Sequence, residues 1–188
     1  STCFRREAGS YGKDTKGILR VHQFDKVEML VFAKPEDSQE EHRAMVSLQE
    51  KLMQALGLSY RVVHIATGDM TFADAEQFDI ETWLPGEIHS THSTSAQGGT
   101  SSEPQSNSEQ SRTTGSGQGR YRETHSASNT TDYQARGVNT KLRRKDGKTE
   151  FLHILNATAF AIGRTLIAIF ENYQTKDGKI EVPKVLQD

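Results

Sequence analysis

The 188-residue sequence has one cysteine, Cys3, four prolines and a mean hydropathy of −0.69. A single cysteine excludes an intrachain disulfide and any Cys-based zinc site. No apolar run approaches the length that crosses a bilayer as a helix, and the opening residues STCFRREAGS lack the apolar core of a signal peptide. An excess of one charge is missing too: 23 Lys and Arg against 25 Asp and Glu leave a formal net charge of −2. That argues against a generally basic nucleic-acid coat and leaves a local basic face open. Apolar residues are scarce, at 34% where globular domains have about half. Neither a P-loop nor a GxGxxG loop is present, so any nucleotide is expected on sheet side chains and not at a helix N-terminus.

One segment holds much of the polar excess. From Ile88 to Gly119 there is no aromatic residue, and Ile88 is the only large aliphatic one. Such a stretch cannot bury enough apolar surface to offset its ordering entropy, so a disordered insertion is expected over 88–119, between ordered parts at 1–87 and 120–188. His89 and His92 would need a helix to share a metal, and nothing in the segment supports one.

The ordered parts mix strands and helices without a regular βαβ alternation, which predicts an antiparallel α+β fold. Residues 1–32 read as strand, glycine-bearing loop and antiparallel strand, the last over Lys16–Phe32. Ser38 and Glu41 form a capping box for a helix ending near Leu56. Its apolar stripe is Met45, Leu48, Leu52 and Leu56, and Gly57 is its stop. Strands are predicted at Tyr60–Ile65, Asp79–Leu84 and Glu150–Leu155. The pattern over Thr158–Tyr173 predicts a long helix buried on most sides. Lys141–Lys145 is a basic run that is either an RNA contact or a solvated hairpin turning at Asp146-Gly147.

Several charged residues stand out from a bland core. Arg5 and Glu7 alternate on the first strand, and Arg20 and Glu28 share a face of the next if no bulge intervenes. Glu123, Ser126 and Asn129 cluster in a polar stretch, and Arg164 sits in an otherwise apolar helix. Arginine suits phosphate because its planar fork donates two parallel hydrogen bonds. A carboxylate with a hydroxyl suits Mg²⁺, which binds through one or two protein oxygens plus substrate phosphates. His22 and His153 are expected to be packed or hydrogen-bonded, Trp83 and Tyr173 to be core, and Cys3 to be a small strand residue.

These residues also carry a resemblance. FRREAGSYGKDTKGILRVHQFDKVE resembles motif 2 of class II aminoacyl-tRNA synthetases, in the form seen in bacterial-type seryl-tRNA synthetases. YRETHSASNTTDYQAR resembles that family's signature before its last motif, and LNATAFAIGRTLIAIFENYQ resembles motif 3. The blocks follow the family order. The resemblance implies a partial class II catalytic fold, an antiparallel sheet flanked by helices. It implies ATP as substrate with Mg²⁺, L-serine and tRNA(Ser) as partners, a homodimer for the full-length family, and a cytoplasmic setting. Arg5 would contact the α-phosphate, Glu7 the adenine amino group, and Phe24 would stack on adenine. Arg20 would lie near the phosphates and Arg164 on the γ-phosphate. Glu123 and Ser126 would hold Mg²⁺ and phosphate; Glu28, Asn156 and Thr158 would hold serine.

The family's tRNA-gripping helical arm, motif 1 and the serine-binding loop ahead of motif 2 are not among these residues. The resemblance therefore predicts a fragment of a longer product or a degenerate copy, with apolar surface exposed. Two other functions stay open: a silent synthetase-like binding module, and a ligase that activates an amino acid without tRNA.

Overall fold

A computed structural model describes residues 1–6, 17–86 and 119–187 of the protein. Glu7 and the predicted insertion, apart from Gly119, lie outside the described residues. Eight strands are described: β1 (Thr2–Phe4), β2 (Gln23–Ala33), β3 (Tyr60–His64), β4 (Glu76–Leu84), β5 (Arg120–Asn129), β6 (Lys141–Arg143), β7 (Thr149–Phe151) and β8 (His153–Ala161). The helices are α1 (Ser38–Ala55), α2 (Tyr133–Gly137) and α3 (Ile162–Asn172). Six strands form one antiparallel sheet in the order β1-β2-β8-β5-β4-β3, and β6 and β7 form a separate hairpin. Strands from before and after residues 87–118 thus build one sheet, with Leu84 paired to Arg120 where the chain leaves and returns. The antiparallel α+β expectation holds.

Both long helices cover the same face of the sheet. Met53 and Leu56 at the end of α1 pack with Ile167, Ala168 and Ile169 of α3 over Ile80 and Leu84 of β4. Met45 packs with Ala127, Leu155 and Ala157 of the two central strands. Side chains alternate across a strand, so the register assigns the opposite face. It carries Glu28, Leu30 and Phe32 of β2, paired with Thr158, Asn156 and Ile154 of β8. It also carries Ser126 and Ser128 of β5, opposite Asp79 and Gln77 of β4. No long helix lies on that face among the described residues, and Leu30 and Phe32 stand exposed on it.

Several local expectations shift. The second strand begins at Gln23, because Gly17–Leu19 form a short 3-10 turn and Arg20 a bend. Arg20 therefore lies outside the ladder, and its shared face with Glu28 does not exist. Arg5 lies just past the end of β1. The predicted helix at Thr158 is strand until Ala161, since Ala157 and Thr158 pair with Met29 and Glu28. Only Ile162–Asn172 is helical, and Ile162, Leu166 and Phe170 are exposed, so α3 is not buried on most sides. Asp37 is the N-cap of α1, and the Ser38 hydroxyl donates back to Pro35, so the capping box is not made. Gly57 does end α1, at φ +67° and with the Tyr173 hydroxyl where a Cβ would point. The Asp146-Gly147 hairpin turn is also present.

Of the expected stripe Met45 and Leu56 are buried and Leu48 is exposed; the buried face of α1 itself is Ser38, His42, Met45, Gln49 and Met53. Three of those five positions are polar, and two of them, His42 and Gln49, reach sheet backbone. His42 Nε2 donates to the Ala127 carbonyl at 2.9 Å. Gln49 Nε2 donates to the carbonyls of Ser126 and Thr158, at 2.9 and 2.8 Å. Strands β5 and β8 pair only at Ala127–Ala157, Ser128–Asn156 and Asn129–Leu155. The next rung would join Ser126 to Thr158, and the Gln49 amide sits there instead. Beyond it each strand has one extra residue in the ladder with its outer neighbour, Thr124 in β5 and Ala159 in β8.

Replacing Gln49 with Ala leaves two buried carbonyls without a donor, a loss of about 2–4 kcal/mol. A urea unfolding midpoint lowered accordingly is the expected result; a change under about 1 kcal/mol would show that water replaces the amide.

Candidate active site

The central strands separate beyond Gln49, and the space opens between them on the uncovered face. The resulting cleft, about 160 Å³, is lined by Arg5, Phe24, Lys26, Glu123, Ser126, Thr158 and Arg164, with Leu19, Ala161 and Gly163 at its wall. These residues come from the end of β1, from β2, β5 and β8, and from the first turn of α3. A larger depression of about 460 Å³ beside Gln39, His64 and Glu76 holds none of the sequence-predicted site residues.

Two predicted arginines meet here. Arg5 donates from Nε to the Val21 carbonyl at 2.9 Å, and its guanidinium lies 4.7 Å from the centre of the Phe24 ring. Arg164 projects from the first turn of α3 and is 23% exposed. It donates to the carbonyls of Leu19 (3.2 Å) and Glu123 (2.7 Å), and faces the Glu123 carboxylate at 3.4 Å. These contacts hold the guanidinium in place before any ligand arrives. Helix α3 begins at this wall, with Ala161 and Gly163 lining it beside the sheet side chains.

The acids divide into two groups. Glu123 and Ser126 flank the bulge at Thr124. Glu28 is held by Lys26, Nζ to Oε2 at 2.8 Å, with both side chains 28% exposed. The Thr158 hydroxyl donates to the same Glu28 oxygen at 3.4 Å, and Lys26 Nζ donates to that hydroxyl at 3.5 Å. An ammonium therefore already sits on Glu28. Lys26 went unnoticed in the sequence, although its even spacing from Glu28 on one strand was the available signal. Asn156 is on the same face, paired with Leu30 and Ser128, one step beyond Thr158 and outside the cleft lining. Arg20 does not line the cleft either.

Asn129 does not belong to the site. It is buried, and its Oδ1 accepts from the Thr131 backbone N–H at 2.9 Å, in a turn where Thr131 has φ +47°. Among the remaining expectations, Cys3 is a half-buried strand residue and His153 bonds the Ser38 hydroxyl at 2.8 Å. Tyr173 packs on the core cluster and donates to the Leu56 carbonyl. Among the described residues no group of three His, Cys, Asp or Glu side chains is close enough to hold a metal alone. The Glu123–Ser126 donor set suits instead a hard cation that takes its other oxygens from phosphate and water. No helix of the described residues is long and apolar enough to cross a membrane.

Comparison with known proteins matches these features. The family described as tRNA synthetase class II core domain (G, H, P, S and T) matches residues 1–173. The chain is 48% identical over 186 residues to a serine–tRNA ligase of Thermodesulfovibrio yellowstonii, covering 98% of this chain and 37% of that protein. It is 45% identical over 187 residues to a serine–tRNA ligase of Pyrococcus abyssi, covering 99% of this chain and 34% of that one. The chain thus spans little more than a third of the length of the curated relatives it matches. The crystal structure of seryl-tRNA synthetase from Pyrococcus horikoshii complexed with ATP superposes with a TM-score of 0.78 at 44% identity, covering 98% of this chain and 35% of that one. A Giardia lamblia prolyl-tRNA synthetase shares the fold, with a TM-score of 0.69 at 14% identity.

Two groups beside the cleft, the buried His125 and the half-buried Asp79, titrate in opposite senses. Burial pushes His125 down to about 4 from its ordinary 6.5. Burial pushes the Asp79 carboxyl up to about 6 from 3.8 against the Gln77 amide that bonds it, and the charges of Glu123 and Glu81 push the same way. As pH falls from about 6.5 to 4, the unfolded chain takes up a proton at His125 that the fold refuses, and stability falls. Between about 6 and 4 the fold takes up a proton at Asp79 that the unfolded chain lacks, and stability rises. The two slopes oppose. Asp79→Asn removes the second, so its unfolding free energy should drop more steeply than the parent's on acidification through this window. Parallel profiles in a urea series at stepped pH would refute the Asp79 shift.

Proposed function

The chain belongs to the tRNA synthetase class II core-domain family (G, H, P, S and T), and we propose that it is the part of a serine–tRNA ligase that activates serine with ATP. The observation that carries this reading is the convergence of Arg5, Phe24, Glu123, Ser126, Thr158 and Arg164 on one cleft, from segments up to 159 positions apart. Identity of 45–48% to named serine–tRNA ligases supports serine as the amino acid.

The reaction is a phosphoryl-centre substitution. The serine carboxylate attacks the ATP α-phosphorus, an oxygen–phosphorus bond forms, and pyrophosphate leaves with its electron pair. The terminal ribose hydroxyl of tRNA(Ser) then attacks the seryl carbonyl carbon, an ester forms and AMP leaves, in the cytoplasm where translation proceeds. The first step needs in-line positioning and positive charge more than proton transfer. Arg5 and Arg164 supply that charge. Because Arg164 is already held by the Leu19 and Glu123 carbonyls, little reorganisation is required when phosphate arrives. Phe24 offers a ring for adenine beside Arg5, and Arg20 is the outlying cation near the phosphates. Glu7 is assigned to the adenine amino group on family resemblance.

Glu28 takes the serine ammonium, assisted by Thr158 and, farther along the strand, Asn156. The support is that a carboxylate and a hydroxyl on the open face already hold the ammonium of Lys26. Serine binding then requires Lys26 to shift toward the phosphates, where its charge is also useful. Glu123 and Ser126 would hold Mg²⁺, which on binding neutralises phosphate charge and favours departure of pyrophosphate.

Serine-dependent ATP–pyrophosphate exchange in the protein carrying this chain tests the reading. Arg5→Ala and Arg164→Ala should each lower exchange by roughly 10²–10³-fold, as for the loss of a preorganised donor. Exchange with serine should exceed that with alanine or threonine. Unchanged exchange in both variants would overturn the assigned roles, and no exchange with any amino acid would favour a silent binding module.

A further inference from the structure

A second surface lies away from the cleft, where α2 meets the β6–β7 hairpin. Between Arg136 and Lys148 the sequence carries six cationic side chains and one acid, Asp146, in a chain of net charge −2. The hairpin is anchored by Arg144, which pairs with Glu150 in β7 and forks onto Glu36 ahead of α1, with one arm at 2.6 Å. The Arg144 guanidinium holds the Glu36 carboxyl down at about 2. A second anchor is the Phe151 ring, which carries the Arg136 guanidinium at 4.7 Å and the Lys141 ammonium at 4.9 Å.

The acids of this region are engaged. Asp132 pairs with Arg136 at 2.6 Å, Glu36 and Glu150 with Arg144, and Asp146 with Lys148 at 3.4 Å. Lys141, Arg143 and Lys145 are exposed and have no carboxylate partner among the described residues. One helical turn before Arg136, the Tyr133 ring is 49% exposed and meets Phe72 edge to face, with centroids 5.6 Å apart. Phe72 itself is 90% exposed. A phenyl ring so placed is covered by nothing within the described residues.

We infer that this surface holds an unpaired RNA strand, with phosphates against Lys141, Arg143 and Lys145 and a base stacked on the Phe72–Tyr133 pair. The partner follows from the combination. Exposed cations without a carboxylate partner recognise a polyanion, and exposed aromatic faces at the adjoining helix recognise unstacked bases. A duplex hides its base faces, and an acidic peptide gives the rings no planar partner. The inference rests on the proposed function, in which the acceptor is a tRNA. It adds a docking surface outside the activation cleft.

The test is fluorescence anisotropy of the full chain with three probes: a short unpaired oligoribonucleotide, a blunt RNA duplex with the same number of phosphates, and polyglutamate. Arg143→Ala with Lys145→Ala should reduce the log–log salt slope for unpaired RNA by about 1.4, from about 0.7 per single-strand phosphate contact. Phe72→Ala should weaken unpaired RNA by roughly tenfold and leave the duplex unchanged. Because Phe72 is so exposed, this variant keeps the fold, and a circular dichroism melt verifies that. No effect of Phe72→Ala on unpaired RNA overturns the inference, and so does polyglutamate binding as tightly as RNA. Serine-dependent exchange in the same variants should match the parent. Intact exchange with unaltered RNA binding would defeat the surface alone. Absent exchange in the unsubstituted protein would count against the proposed function, and the anisotropy data would still decide the surface.

Discussion

A single side-chain amide sets the geometry on which the candidate site depends. Gln49, buried under the sheet, donates to the carbonyls of Ser126 and Thr158 at the point where β5 and β8 stop bonding each other. Without a donor there, two carbonyls would be stranded in the interior, or the strands would close and pair. Either outcome removes the cleft. The amide wedge satisfies both carbonyls from behind and leaves the front face open. The extra residues Thr124 and Ala159 follow immediately, and they re-aim the strands around the opening. Thr124 is tied down in turn, its hydroxyl donating to the Ile80 carbonyl and bonding the Thr82 hydroxyl.

The chemistry follows from what the fork leaves at its rim. Cations are held by neutral carbonyls, as with Arg5 on Val21 and Arg164 on Leu19 and Glu123. The carbonyls orient the Arg164 guanidinium without neutralising it, while the half-exposed Glu123 carboxylate at 3.4 Å offsets part of its charge. The acids stand one step away on the same face. Lys26 links the two groups, because it reaches Glu28 and Thr158 and also lines the cleft.

Much of this was legible in the linear sequence, and the failures have specific causes. The stop at Gly57, the Asp146-Gly147 turn and most strands were readable because each rests on a local preference. Helix α1 is placed correctly, and its expected stripe is right at Met45 and Leu56 but wrong at Leu48. Its buried face includes His42 and Gln49, and an apolar stripe drawn through Leu48 cannot register polar residues buried by hydrogen bonds to the sheet. The Thr158–Ala161 stretch, TAFA, has no strong preference of its own, and pairing with β2 made it strand. Asn129 was grouped with Glu123 and Ser126 by proximity, while strand alternation and a local turn bond removed it from their face.

Sequence alone determined which residue types are available and which family they belong to, because the FRREAG, FDKVE and GRT blocks are contiguous and position-specific. It also determined the α+β class, since strand and helix periods are properties of short windows. Only the tertiary structure decided which charges meet. Facing is set by pairing register, by one-residue bulges and by a buried amide that occupies a missing rung, and each depends on partners distant in the chain. Shifting the register of β8 by one residue would exchange Thr158 for a neighbour on the helix-covered face. For that reason the residue list could be drawn from the sequence, and the cleft could not.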